Sequence, residues 1–147
     1  MLDDVDRQIL TYLRHHGRES YRQAARKLGL HPATVIKRVE RMTKEGVITG
    51  FGASVDYLKL GYEFMALMEI RCASGHISDV GAKLRTQSGV VSVWDITGHE
   101  DMMIQVACKT RAEFNRTIKR ISGVPHVERT ITHVILNVLK SEGEFEL

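Results

Sequence analysis

The chain has 147 residues, of which 43% are apolar and 27% charged. That suits one ordinary domain or two small ones and excludes a disordered chain. Apolar runs are only a few residues long, too short for a transmembrane helix, and the acidic start (Asp3, Asp4, Asp6) is unlike a secretory leader. The two cysteines, Cys72 and Cys108, cannot form a disulfide framework and lack zinc-ligand spacing. The expectation is a soluble cytoplasmic protein, with neither a cofactor nor a membrane partner.

The net charge of +3 is unevenly spread. Residues 1–50 carry 10 Lys/Arg against 6 Asp/Glu, whereas residues 51–147 carry 11 against 12. Within residues 18–44 the count is 8 basic against 2 acidic. A short segment this basic suits a polyanion, because neutralising phosphates releases condensed counterions. It also suits a solvated helix face, so spacing must decide between them.

The first helix is predicted over about residues 3–16. Asp3 or Asp4 can cap it, Asp6 sits favourably in its first turn, and Val5, Ile9, Leu10 and Leu13 form an apolar stripe. Gly17 can stop it. Ser20 and Gln23 have capping-box spacing for a second helix, in which Ala24, Ala25 and Leu28 face inward and which Gly29 ends. Pro32 opens a third helix, with Val35, Val39 and Met42 on one face and Thr34, Arg38 and Arg41 on another. Lys37 and Lys44 flank the second face, and Gly46 ends the helix. Residues 47–55 read as a short β-ribbon or strand. Together these elements form a helix-turn-helix with a wing.

Residues 62–72 alternate, which predicts a strand. Tyr62, Phe64, Ala66, Met68, Ile70 and Cys72 share one face, and Glu63, Met65, Leu67, Glu69 and Arg71 the other. A helix is predicted over residues 76–87 and a hairpin of strands over 90–97 and 101–109, turning at Gly98-His99-Glu100. A helix over 111–122 and a long strand over 126–140 follow. The order βαββαβ is the ferredoxin-like split unit, so the fold class is α+β: an N-terminal winged helix-turn-helix and a C-terminal ferredoxin-like domain. Several strands are apolar on both sides, so the second sheet face needs a cover. The same face of a second copy is the simplest one. The domains read as 1–50, a ribbon or linker at 51–61, the ferredoxin-like domain at 62–140 and an acidic tail at 141–147.

At this point the chain resembles the leucine-responsive regulator/asparagine regulator (Lrp/AsnC) family of prokaryotic transcription factors. The resemblance rests on Leu2-Asp3-Asp4-Val5-Asp6-Arg7-Gln8-Ile9-Leu10, Gly17-Arg18-Glu19-Ser20 and Ala24-Ala25-Arg26-Lys27-Leu28-Gly29-Leu30. It continues through Thr34-Val35-Ile36-Lys37-Arg38-Val39, Glu45-Gly46-Val47-Ile48-Thr49-Gly50-Phe51, Leu60-Gly61-Tyr62 and Gly98-His99-Glu100-Asp101. The last of these matches the family's Gly-x-x-Asp turn. The resemblance implies dimers formed through the sheets, often octamers, and often an amino acid bound between dimers near that turn. His31 stands where the family often has Ser at the cap of the recognition helix.

The candidate contacts to double-stranded DNA are His31, Pro32, Ala33, Thr34, Lys37, Arg38 and Arg41, with Arg22 and Lys27 on the preceding helix. Ala33 can meet a thymine methyl, and the basic residues can reach phosphate or guanine. Arg38→Ala is expected to weaken operator binding without unfolding the protein. The candidate effector residues are Gly98, His99, Glu100 and Asp101, with Thr130 and Thr132 adding hydroxyls; the alternative for the first four is an ordinary hairpin turn in which Gly98 supplies a positive φ and Asp101 bonds backbone. His126 and His133 point to opposite strand faces and cannot share a metal, and no nucleophile-base set has motif support. The protein is therefore not expected to be an enzyme. Two other classes compete: an enzyme on the same scaffold, like the siroheme decarboxylases, and an oligomerisation partner of a related regulator.

Overall fold

The computed structural model describes residues 1–140, and they fall into two compact units, one built on Met1–Ser54 and the other spanning Val55–Val138. The expected acidic tail at 141–147 lies outside the described residues.

The first unit is helical. Helix α1 spans Asp4–His15 and starts on a reciprocal capping box. The Asp6 amide donates to Asp3 Oδ1 at 2.8 Å, and the Asp3 amide donates to Asp6 Oδ2 at 3.0 Å. Helix α2 spans Tyr21–Leu28, capped in the same reciprocal manner by Ser20 and Gln23. Gly29 ends it at φ +68°, a left-handed conformation that glycine adopts without strain. Helix α3 spans Pro32–Lys44; His31 caps it, with Nδ1 accepting from the Ala33 amide at 3.3 Å. Ile9, Leu13, Ala24, Ala25, Val35, Val39, Met42 and Ile48 form the core. Ala24 and Ala25 are fully buried, and their small side chains let the helices approach closely.

The expected ribbon over residues 47–55 is not a strand. The Val47 and Ile48 amides donate instead to the Met42 carbonyl, at 2.8 and 3.1 Å, and Ile48 tucks into the helical core. A strand exists only where a partner meets its N–H and C=O groups, and no described segment pairs with this one. The helix-turn-helix therefore has no wing among the described residues.

The second unit is a four-stranded antiparallel sheet with two helices, in the expected βαββαβ order. Strand β1 is Phe64–Cys72, helix α4 Ile77–Leu84, strand β2 Val90–Asp95, strand β3 Met102–Cys108, helix α5 Arg111–Ser122 and strand β4 Val127–Val134. The strands lie in the order β2-β3-β1-β4. Ala66, Met68, Ile70 and Cys72 face a core completed by Met102, Ile104 and Val106 of β3, Val80 and Leu84 of α4 and Ile121 of α5. Of the two faces that the alternation at 62–72 separates, the helices cover the one with Ala66, Met68, Ile70 and Cys72. The other face carries Leu67, Glu69, Met103, Gln105, Trp94, Ile131 and His133, and neither α4 nor α5 packs on it. Trp94 is 42% exposed.

Strand β4 is shorter than the predicted 126–140. Val134 pairs with Ala66, the Ile135 amide donates to the Met65 carbonyl, and β1 begins at Phe64. Beyond that point the strand has no ladder to join. At its other end His126 stands outside the strand at φ +72°. Its ring stacks on His76 with centroids 3.7 Å apart and planes within 2°.

Candidate DNA-contact face and effector turn

The two helices of the helix-turn-helix divide the sequence candidates sharply. Ala33, Thr34 and Lys37 stand exposed within one turn of α3, and His31 is exposed at its start. Pro32 is half-buried. Arg22 and Lys27 are exposed on α2. Arg26, one turn on from Arg22, is exposed as well and was not among the sequence candidates, although its i, i+4 spacing to Arg22 is visible. His31 Nδ1 is engaged by the cap bond from the Ala33 amide, which leaves Nε2 as the ring nitrogen outside the cap.

Arg38 and Arg41 are placed differently. Arg38 Nη1 bonds Asp3 Oδ1 and Oδ2 at 2.8 and 2.7 Å and Asp6 Oδ1 at 2.8 Å. Arg41 Nη2 bonds Asp6 Oδ2 at 2.5 Å. Asp6 has no solvent exposure. Burial alone would push its carboxyl up, but the hydrogen bonds from Arg41, the Asp3 amide and Arg38 outweigh burial and hold it well below the usual carboxylate range. Asp3 is lowered too, chiefly by its bond to Arg38. Arg38, expected from the sequence to contact DNA and to be replaceable without unfolding, is ion-paired with Asp3 and Asp6, and both arginines fasten the recognition helix to the start of α1. Sequence reasoning gave Asp6 only a local role in the first turn, because its partners lie more than 30 residues away.

In the second unit, Gly98 sits at φ +133° in the hairpin turn, a conformation L side chains rarely adopt. The turn is fastened to the end of β1. The Asp101 amide donates to the Ile70 carbonyl at 3.0 Å, and Asp101 Oδ2 accepts from the Cys72 amide at 2.8 Å. Arg71, not among the sequence candidates, reaches over the turn. It donates to the His99 carbonyl, approaches His99 Nδ1 at 3.0 Å and holds Nε 3.3 Å from Glu100 Oε2. His99 Nδ1 also lies 3.0 Å from Glu100 Oε1. Glu100 is 4% exposed, and its Oε2 makes no aligned hydrogen bond. A buried carboxylate with unmet acceptor capacity is a place for a ligand's N–H or ammonium. Arg71 offers a matching cation beside it. Asp101 is occupied by backbone, as the ordinary-turn reading anticipated.

Thr130 and Thr132 do not join this cluster. They pair with Ile70 and Met68, whose side chains face the helices, so both threonines lie on that face while Arg71 lies on the other. The Thr130 hydroxyl is 2.9 Å from Ser122 Oγ on α5. His133 lies 3.1 Å from Glu69 on the open face. Among the described residues no group of three His, Cys, Asp or Glu is arranged to hold a metal.

Comparison with known proteins gives this arrangement a context. The profile of the AsnC-type helix-turn-helix domain matches residues 2–43, and that of the Lrp/AsnC ligand-binding domain matches residues 65–145. The chain belongs to the Lrp/AsnC family of helix-turn-helix transcriptional regulators. An uncharacterised HTH-type transcriptional regulator of Pyrococcus furiosus is 34% identical over 145 residues, covering 99% of this chain and 98% of that one. The structure of Escherichia coli AsnC superposes with a TM-score of 0.87 at 27% identity, covering 97% of this chain and 99% of that one. A Neisseria meningitidis transcriptional regulator, solved as an L-Met complex, has the same fold (TM-score 0.85, 19% identity, 96% and 94% covered). As an Lrp/AsnC protein the chain is a regulator and not an enzyme.

Proposed function

We propose that this Lrp/AsnC chain is a sequence-specific regulator that reads double-stranded DNA through the outward strip of α3 and works as a homo-oligomer. We also propose that an amino acid or related metabolite tunes it at the Gly98–Asp101 turn. The observation that carries the DNA reading is the partition of α3. One side is fixed to α1 through Asp3 and Asp6, while His31, Ala33, Thr34 and Lys37 stand exposed at the N-terminal end of the recognition helix. Arg22, Arg26 and Lys27 on α2 are exposed cations suited to the phosphates on either side.

Selecting genomic fragments with the purified protein at several salt concentrations tests this. A short pseudo-palindromic motif, bound less tightly as salt rises, is expected. Flat enrichment at every salt concentration would contradict it.

Support for the effector comes from the buried, under-bonded Glu100 beside Arg71 and from the match to a ligand-binding domain. Glu100 would receive an ammonium and Arg71 a carboxylate, the two charged ends of a free amino acid. Calorimetric titration with the twenty amino acids should give heat with at least one, and that heat should vanish in Glu100→Gln. Silence with all twenty would remove the amino-acid reading.

A further inference from the structure

The recognition helix carries two arginines that do not face solvent freely. Arg38 is fixed by three hydrogen bonds to Asp3 and Asp6, and Arg41 by one to Asp6. Both guanidinia stay charged, since these bonds push their already high pKa values up further. Each charge is met at short range by a carboxylate. The local excess of basic residues over 18–44 therefore overstates what a phosphate backbone would meet.

We propose that Asp6, with Asp3, is a specificity-determining residue for DNA binding. By holding Arg38 and Arg41 it withholds two guanidinia from the phosphates and so lowers affinity for DNA of any sequence. The physical basis is that phosphate contacts supply sequence-independent affinity, whereas base-edge contacts supply discrimination. An arginine free to swing to the backbone strengthens binding everywhere and narrows the margin between operator and bulk DNA. On this account the outward strip of α3 reads sequence while the paired arginines hold the helix in place. Ordinary charge bookkeeping says something different: removing any acid near the interface should have the same effect as removing any other.

That difference is the test, and it rests on the DNA reading above. Asp6→Asn frees Arg41 from its charged partner. Asp4→Asn removes one negative charge from the same turn of α1, at a side chain that takes no part in the arginine network. Binding of the full-length wild type and both variants to a random-sequence duplex is measured between 50 and 200 mM salt. Asp6→Asn should steepen the log–log salt slope by about 0.9 per bound chain, an extra loss of about 3.5-fold across that range. It should also lower the affinity ratio between wild-type-selected fragments and the random duplex. Asp4→Asn should keep the wild-type slope and ratio.

If Asp6→Asn and Asp4→Asn behave alike, or if Asp6→Asn keeps the wild-type slope, the proposal is wrong. Circular dichroism establishes folding first. If Asp6→Asn does not fold, Asp3→Ser takes its place in the same comparison, because serine can still cap α1 while releasing one side of Arg38. A wild type that binds no duplex at all overturns the DNA reading and this proposal with it.

Discussion

Asp6 shows how one side chain can serve a cap, a core and a functional helix at once. Its carboxylate closes the capping box of α1 and receives guanidinium hydrogen bonds from Arg38 and Arg41, with no exposure to water. Leaving such a site without its charge is costly, so Asp6→Asn should destabilise the protein by about 3 kcal/mol, measured by chemical unfolding at pH 7. Because the folded carboxyl is held below its ordinary value of 3.8, this stability is fully present above about pH 4 and is lost as pH falls further. The gap between wild type and Asp6→Asn should therefore shrink as pH is taken from 4 towards 2; a constant gap would argue against the ion pairs. Local spacing revealed the cap. It could not reveal the arginines, because a helical wheel shows which residues share a face but not what that face meets across more than 30 residues of chain.

At the scale of elements, the helices were legible because each carries its own punctuation. Asp3, Ser20 and Pro32 mark starts, and Gly29 marks a stop. Gly29 should be the most sensitive of these in the helix-turn-helix. A Cβ there would meet nothing within 4 Å, so Gly29→Ala tests backbone conformation alone. It should cost about 1 kcal/mol in chemical unfolding and weaken DNA binding by shifting α3 against α2. No change in either would show that the left-handed turn is not required. The strands were less legible, since a strand depends on partners the periodicity does not show. Residues 47–55 have strand composition but no neighbour to pair with, and Val47 and Ile48 close α3 instead. Strand β4 stops where β1 runs out. Arg71 was not singled out beside the Gly98–Asp101 turn for a related reason: only the antiparallel register brings the end of β1 there.

At the scale of the whole molecule, the sheet covers its core on one face only. The other face presents Leu67, Met103, Trp94 and Ile131 around Glu69 and His133. The apolar content of that face was visible in the sequence, and it underlies the proposed homo-oligomer. Leu67→Glu should reduce the species seen by sedimentation equilibrium towards a single chain without unfolding it; an unchanged mass would place the contact elsewhere. Oligomerisation in turn would let two recognition helices engage one operator. On the proposed function, the exposed strip of α3, and not its arginines, contacts the DNA. The most direct measurement is the operator affinity of Lys37→Ala at fixed salt. Lys37 is exposed and outside the Asp3 and Asp6 network, so the account predicts an unchanged melting temperature and roughly tenfold weaker binding. Wild-type affinity in that variant would contradict it.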